Sequence, residues 1–435
     1  MPKILLVSNR LPVRIAASGK VTCTAGGLAS ALAGADVEAT WVGWPGICIE
    51  DVEDIPAMEA AMEEVGIKPV LLGREEYDGF YEGYSNGTLW PLLHYMVERA
   101  RFEDEWFGFY EQANRKFAEA VLAVASEGDT VWIHDYQLFM LPQMLRESEM
   151  GLRVGFFLHT PFPSSEIFRT LPQRGPVLRG LLGADMIGFH TYNYLRHFRS
   201  SLLHVLGIES DMDTVLGADR VVKLGVYPIG HDHIGFAKAL ESPEFGLALD
   251  RHAEELAGKK LLLSVERLDY TKGVPQKLRA IRRFLEHNPE MAKEVVFVII
   301  AVPSRKGIEE YTQLTEDVQR EVGSINGDFG TVGHAPLQFL YRSFPQGELA
   351  ALYALADACL VTPLIDGMNL VAKEFIDCKN GGDGVRPGVL VLSEFAGAAQ
   401  EMSQAILINP HDVREFVDAI DEALQMLPDE KMERT

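Results

Sequence analysis

Cysteine is scarce in this chain of 435 residues: there are four, Cys23, Cys48, Cys359 and Cys378, and none is paired at metal-ligand spacing. That pattern argues against a disulfide framework and against a thiolate zinc site, and the thiols read as buried or incidental. No apolar run reaches the roughly 20 residues that a membrane-spanning helix needs. The N-terminal MPKILLVSNR enters a strand rather than a charged-then-apolar leader. The chain is therefore expected to be cytoplasmic. Positive charge is also short, since 40 Lys and Arg against 63 Asp and Glu leave a formal charge of −23. Nucleic acid and anionic membranes would be repelled at long range and are not expected as partners. A small anionic ligand remains compatible, because screening over roughly 8–10 Å lets a few local cations act against a distant acidic surface. Those cations should be few and identifiable. No repeat or low-complexity tract occurs, and the acidic patch at 49–64 reads as a solvated helix face.

What the chain does have is alternation. Strand-like apolar runs at 3–8, 39–43, 130–134, 152–158 and 186–189 are interleaved with helical patterns at 103–126, 137–149 and 191–206. This predicts an α/β protein with a doubly wound parallel sheet. A second series follows, with strands at 260–266, 295–302, 357–361 and 388–392 and helices at 274–287, 307–322, 346–356, 369–378 and 412–426. Two Rossmann-like domains facing each other are expected, residues 1–230 and 231–435. The boundary is placed where VYPIG (226–230) ends a strand in Pro and Gly before a helical segment at 234–257.

Two motifs of the second half supply complementary halves of one ligand site. In RLDYTKG (267–273), Arg267 and Lys272 follow the apolar run LLLSVE, so a buried strand delivers two cations to a sheet edge, where open α/β sheets bind anions. In LIDGMNLVAKE (364–374), Asp366 and Glu374 lie either side of a Gly-Met-Asn turn that opens a helix. Asp366 in the loop suits sugar hydroxyls, and Glu374 in the helix suits the two hydroxyls of a ribose. The backbone N–H groups around Met368 to Leu370 would point at a diphosphate between them. The combination predicts a clamp for a sugar nucleotide.

The first half carries weaker signals. SNRLPV (8–13) places Arg10 after the first strand, and TAGGLASAL (24–32) sets Gly26 and Gly27 before a helix, where backbone can approach a phosphate. Either could be an ordinary turn or a solvated arginine. WIHDYQL (132–138) and FFLHTPFP (156–163) each end an apolar strand with a polar group, Asp135 and His159, which adjacent strands would bring to one edge. Taken singly, Asp135 could cap the next helix and His159 could be a core histidine. In the aromatic stretch GFYEGYSNGTLWPLLHY (79–95), Tyr81 and Trp90 could wall a sugar face, although such stretches are usually core. Arg305 ends another strand, with Lys306 beside it.

These segments, in this order and over nearly the whole length, resemble the trehalose-6-phosphate synthases, retaining glycosyltransferases of the GT-B fold. The matching stretches include SNRLPV, AGGLASAL, SNGTLWPLLHY, WIHDYQL, FFLHTPFPSSEIF, SVERLDYTKG, TPLIDGMNLVAKEF and GVLVLSEFAGAAQE. The resemblance implies transfer of glucose from UDP-glucose to glucose 6-phosphate with retention, without a metal or other cofactor. It implies that Arg267 and Lys272 stabilise the departing diphosphate, helped by Gly27 and the amides of Leu370 and Val371, and that Glu374 holds the ribose. Asp366, His159 and the backbone of Gly367, Met368 and Asn369 would orient the donor glucose. Arg10, Tyr81, Trp90, Asp135 and Arg305 would bind the acceptor. It also leaves open a homo-oligomer, and a trehalose-6-phosphate phosphatase as partner or fused domain.

Three departures from the family pattern stand out. Ile365 occupies a position where an arginine is usual, which bears on donor or acceptor preference. His231, in PIGHDH (228–233), replaces an aliphatic residue and reads as neutral. The chain stops at DEKMERT, where the family continues into a helix that crosses back onto the first domain. A related glucosyltransferase acting on another phosphorylated acceptor such as glycerol 3-phosphate, and a non-catalytic sugar-phosphate sensor, are the alternative readings. A sugar-nucleotide epimerase of similar architecture is a third.

Overall fold

The computed structural model describes residues 2–15, 21–23, 39–216, 220–303, 309–381 and 384–435. They form two compact units, Met1–Ile229 and Gly230–Thr435. Gly26, Gly27 and Arg305 lie outside the described residues.

The first unit is built on a nine-stranded sheet. Its strands are β1 (Ile4–Arg10), β4 (Ala39–Trp44), β5 (Ile67–Pro69), β6 (Thr130–His134), β7 (Arg153–Leu158), β8 (Met186–Phe189), β9 (Ser210–Asp211), β10 (Thr214–Leu216) and β11 (Val221–Val226). A separate small hairpin pairs β2 (Val13–Ile15) with β3 (Val21–Cys23). The spatial order is β5-β4-β1-β6-β7-β8-β11-β10-β9. All pairings from β5 to β11 are parallel; β10 and β9 close that edge antiparallel. The chain winds from β1 toward β4 and β5 and then returns to β6 on the other side, so the topological switch lies between β1 and β6. Ligands in such sheets bind beyond the carboxyl ends of the strands at that point.

The second unit has six parallel strands: β12 (Lys260–Arg267), β13 (Val295–Val302), β14 (Leu337–Leu340), β15 (Ala358–Val361), β16 (Val389–Ser393) and β17 (Ile406–Ile408). Their order, β14-β13-β12-β15-β16-β17, is the doubly wound Rossmann arrangement with its switch between β12 and β15. The strands buried on both faces, such as Leu261–Glu266 and Val295–Ala301, read as largely apolar runs for that reason, the first interrupted only by Ser264 and Glu266. Two such units define the GT-B fold class.

The helices that matter below are α1 (Asp104–Leu122), α2 (Tyr192–Leu206), α3 (His233–Leu240), α4 (Val274–His287), α5 (Gln346–Leu355), α6 (Leu370–Lys379) and α7 (Val413–Gln425). The long pattern at 234–257 divides into α3 and a second helix, Pro243–Glu255, because Ser242 caps the amide of Phe245 and Pro243 starts a new helix. The acidic patch becomes a helix, Ile55–Glu63, that buries only Met58 and Met62. Periodicity missed the short edge strands β5, β14 and β17, which are too brief to show a pattern. Among the described residues no helix is long and apolar enough to cross a membrane.

One charged pair sits inside the second core. Lys277 of α4 is fully buried, and its Nζ donates to both oxygens of Glu266 at 2.6 and 2.8 Å and to Ser264 Oγ. Ser264 in turn donates to the carbonyl of Leu360 on the adjacent strand at 2.8 Å. The charges are tolerated because each is paired and hydrogen-bonded. Lys277→Ala should therefore cost about 3–5 kcal/mol, since it strands the Glu266 carboxylate, while Lys277→Met with Glu266→Leu should recover most of the loss. Urea unfolding followed by far-UV circular dichroism checks both.

Candidate functional site

In the second unit, both motifs emerge at the switch point. RLDYTKG leaves the end of β12, and LIDGMNLVAKE leaves the end of β15, its neighbour in the sheet. Adjacent strand ends bring Lys272 and Asp366, 94 residues apart, into a hydrogen-bonded ion pair in which the side chains are 11% and 16% exposed. The Asn369 side-chain Nδ2 also donates to Asp366 Oδ2, at 3.0 Å.

Each loop is held by its own interactions. Asp269, fully buried, accepts from the amide and hydroxyl of Thr271, both at 2.9 Å, and from the Tyr311 hydroxyl at 2.8 Å. Its carbonyl receives the Lys272 amide at 3.0 Å. Gly273 then turns the chain at φ 70°, and a Cβ there would stand 2.8 Å from the Thr362 carbonyl. Only glycine meets both conditions. The second loop is stitched to residues 395–398: the Asp366 amide donates to Phe395 O, Gly397 N to Asp366 O and Ala398 N to Met368 O, at 2.9–3.2 Å. A side chain at Gly397 would fall 2.0 Å from the Gly367 carbonyl. That close approach explains why GVLVLSEFAGAAQE belongs to the site although it offers no reactive group.

Asn369 begins α6 at φ 85° and makes no side-chain cap, so the first amides of the helix are left to whatever approaches its N-terminus. Glu374 lies one turn further on. Burial pushes its carboxyl above the ordinary range, partly offset by the Tyr353 hydroxyl, which donates to it at 3.2 Å. Arg267 stands exposed at the end of β12, Met368 is buried and Ile365 is half-buried. The structure thus gathers Lys272, Asp366, Asn369 and the start of α6, and places Arg267 at the end of the strand leading to them.

In the first unit, Arg10 ends β1 and Asp135 follows β6, on the two sides of that switch. The Arg10 guanidinium lies over the Trp44 ring at 5.8 Å, and Trp44 packs against Tyr77 and Tyr81 with centroids 4.8 and 6.0 Å apart. Arg10 and Tyr81 therefore share one aromatic cluster. Trp90 is more deeply set, 6% exposed against His94 and Tyr136. The segment bearing Tyr81, Asp78–Leu89, winds as a π-helix, and Trp90 opens the α-helical turn Trp90–Leu93 that follows it. Gly79 and Gly83 let it lie against α1, since Cβ atoms there would stand 2.3 Å from the Phe109 ring and 2.7 Å from the Trp106 ring.

Asp135 has φ 76°, a conformation that costs a non-glycine residue energy and is held only when neighbours impose it. They are identifiable. Tyr110 of α1 donates to Tyr136 O at 2.6 Å and accepts from Phe139 N at 2.9 Å, and Asn114 donates to Gln137 O at 3.0 Å. The turned Asp135 carboxylate accepts the His159 amide at 3.2 Å and caps no helix.

Sequence reading missed the two partners of His159. His134, at the end of β6, meets His159 Nε2 through Nδ1 at 3.0 Å, and His190, after β8, meets the His159 ring edge-on at 5.4 Å. Among the described residues, His134 Nε2 is buried with no hydrogen-bond partner. An orphaned N–H costs more than an orphaned lone pair, so the His134 proton belongs on Nδ1, donated to His159 Nε2. His159 then carries its own proton on Nδ1 and presents a donor. Three strand-end histidines at spacings of 25 and 31 residues were the available signal.

The sequence profile of Glycosyltransferase family 20 matches residues 2–435. The chain belongs to that family. It is 44% identical over 438 residues to an α,α-trehalose-phosphate synthase (UDP-forming) of Aspergillus niger, covering 98% of this chain and 90% of that protein. It is 43% identical to a bifunctional trehalose-6-phosphate synthase/phosphatase of Thermoproteus tenax, of whose length it spans 60%. The crystal structure of an α,α-trehalose-phosphate synthase (UDP-forming) from Burkholderia xenovorans in complex with glucose 6-phosphate superposes with a TM-score of 0.89 at 33% identity, over 99% of this chain and 94% of that one.

Burial lowers the pKa of His134 to about 3 and that of His159 well below its ordinary value, the latter also through its histidine neighbours. Both are neutral in the fold but take up protons below about 6.5 once unfolded. Their contribution is complete above that pH and is lost as pH falls toward 3, at about 1.4 kcal/mol per pH unit for each histidine. All five tryptophans lie in the first unit, so tryptophan fluorescence reports its unfolding. Denaturation between about pH 7 and 5 should show this slope, and His134→Asn should reduce it by one histidine's share.

Proposed function

We propose that this chain is a retaining glucosyltransferase that makes trehalose 6-phosphate from UDP-glucose and glucose 6-phosphate. The observation that carries the reading is the Lys272–Asp366 pair, a cation and a carboxylate held side by side at the switch point where α6 begins. The donor follows from balance: a UDP-forming enzyme that builds trehalose 6-phosphate on glucose 6-phosphate must supply a glucosyl group bearing UDP.

In this reading the diphosphate lies at the N-terminus of α6, among the amides of Leu370 and Val371, with Gly27 assigned to the same group from its motif. Anions are favoured there by the free N–H groups and the helix dipole. Lys272 has three donors; Asp366 engages one, leaving the others for the phosphate. Arg267 adds the second positive charge. Asp366, Asn369 and the backbone of Gly367 and Met368 orient the glucosyl hydroxyls, joined by the Nδ1–H of His159. Glu374 takes the ribose hydroxyls, its Oε2 already oriented by Tyr353. Arg10, Tyr81, Trp90 and Asp135 take the acceptor sugar phosphate, with Arg305 assigned to the same group from its motif.

The bond between C1 and the β-phosphate oxygen breaks with its electron pair going to the phosphate. The acceptor 1-hydroxyl bonds to C1 from the same face and passes its proton to the departing oxygen. Negative charge on the phosphate is greatest at the transition state, where Lys272 and Arg267 are most effective. No enzymic nucleophile takes part, in contrast to the carboxylate pair of a double-displacement glycosidase. We assign the reaction to the cytoplasm, and assign a phosphatase acting on the product as partner or further domain, a pairing the bifunctional relative suggests.

A matrix of nucleotide-glucose donors against glucose 6-phosphate, glycerol 3-phosphate and fructose 6-phosphate tests the assignment. UDP release and an α,α-linked product with glucose 6-phosphate are expected. An inverted anomeric centre on NMR overturns the mechanism, and transfer only to another acceptor overturns the substrate. Lys272→Ala should lower kcat by roughly 10²–10³-fold while the acceptor KM stays within a few-fold; unchanged turnover removes Lys272 from the chemistry.

A further inference from the structure

Away from the donor loops, three ligating side chains of the second unit converge. His231 precedes α3, His233 is its first residue, and Asp377 lies on α6. His233 Nδ1 is 2.6 Å from Asp377 Oδ1, and His231 Nε2 is 3.4 Å from Oδ2. The three donor atoms lie within 4.8 Å of one another. The histidines are not needed to start the helix, because Asp232 between them caps the Gly235 amide at 2.9 Å.

We propose that His231, His233 and Asp377 bind one divalent transition-metal ion of the Zn²⁺, Co²⁺ or Ni²⁺ class. Two imidazoles and a carboxylate are the donor set such ions prefer, whereas Mg²⁺ and Ca²⁺ take oxygen ligands in larger number. With metal–donor bonds of about 2.0–2.2 Å, the donors of a tetrahedral site stand about 3.3 Å apart. The observed spacings bracket that value, so the ion enters by parting His233 from Asp377 and drawing the rings inward. The two inner side chains are 14% and 16% exposed and His233 is 73% exposed, which gives a fixed wall and one open side for water.

The surrounding charges permit a cation. Lys373, one turn before Asp377, faces His231 but is held by Glu401 at 2.7 Å. Asp232 adds a second carboxylate nearby, and the Phe236 ring flanks His231 at 5.8 Å. A bound ion would tie residues 231–233 to α6, the helix that carries Glu374 three residues before Asp377. Its role is structural, and the site stands independently of the reaction proposed above.

The full chain, stripped with a chelator, is titrated with Co²⁺ and followed by visible absorption and equilibrium dialysis. One Co²⁺ per chain is expected, displaced by Zn²⁺ and not by Mg²⁺. His233→Ala and Asp377→Asn should each weaken binding by about tenfold or more, while His134→Asn, in the buried histidine group of the first unit, leaves it unchanged. Circular dichroism confirms that the variants are folded, and His233 is exposed enough to be replaced without disturbing the core. Failure of the wild type to bind at micromolar Co²⁺, or undiminished affinity in either site variant, overturns the proposal.

Discussion

The ion pair between Lys272 and Asp366 is the contact around which the second unit is organised. It forms because β12 and β15, the strands that flank the reversal of the sheet, release their loops side by side. Almost every other feature there serves to keep those loops in place. The buried Asp269 with Tyr311 fixes the lysine loop, and the backbone ladder from 366–368 to 395–398 fixes the carboxylate loop. A pair so nearly removed from water contributes little to stability by itself. In the proposed reaction its value is that it holds a cation beside the place where negative charge develops.

The first unit solves a similar problem by different means. At its switch point the Asp135 carboxylate stands on a costly backbone conformation and accepts an amide from the next strand end. Tyr110 and Asn114 of α1 impose that turn, and α1 can reach it because glycines at 79 and 83 let the π-helical segment settle onto its aromatic residues. Behind Asp135 the neutral histidines 134 and 159, with His190 beside them, fill the ends of three consecutive strands. Backbone strain, aromatic packing and proton placement are thus linked through one helix.

Much of this was legible in the chain. The run 295–301 is apolar without interruption and 261–265 nearly so, as strands covered on both faces are, and the end of the latter points directly to Arg267 and Lys272. The LIDGMNLVAKE segment announced a loop followed by a helix, and α6 begins where the Gly-Met-Asn turn ends. Other features left no such mark. Asp269 in RLDYTKG and His134 in WIHDYQL carry no local signal, because what distinguishes them is burial against Tyr311 and His159 respectively. His231 read as a neutral replacement, since nothing in its neighbourhood along the chain hints at an aspartate 146 positions later.

The sequence by itself determined the alternation of strands and helices, the glycines that permit tight turns and close approach, and the kinds of polar group waiting at each strand end. These follow from local periodicity and backbone sterics, which act over a few residues. Which of those groups meet was decided by the order in which the strands pair. Lys272 reaches Asp366 across 94 residues, and Asp135 reaches the next strand end at His159, because crossover connections place particular strands edge to edge. Proton positions, buried charges and the convergence of His231, His233 and Asp377 depend on distances in space, and only the packed tertiary structure sets those.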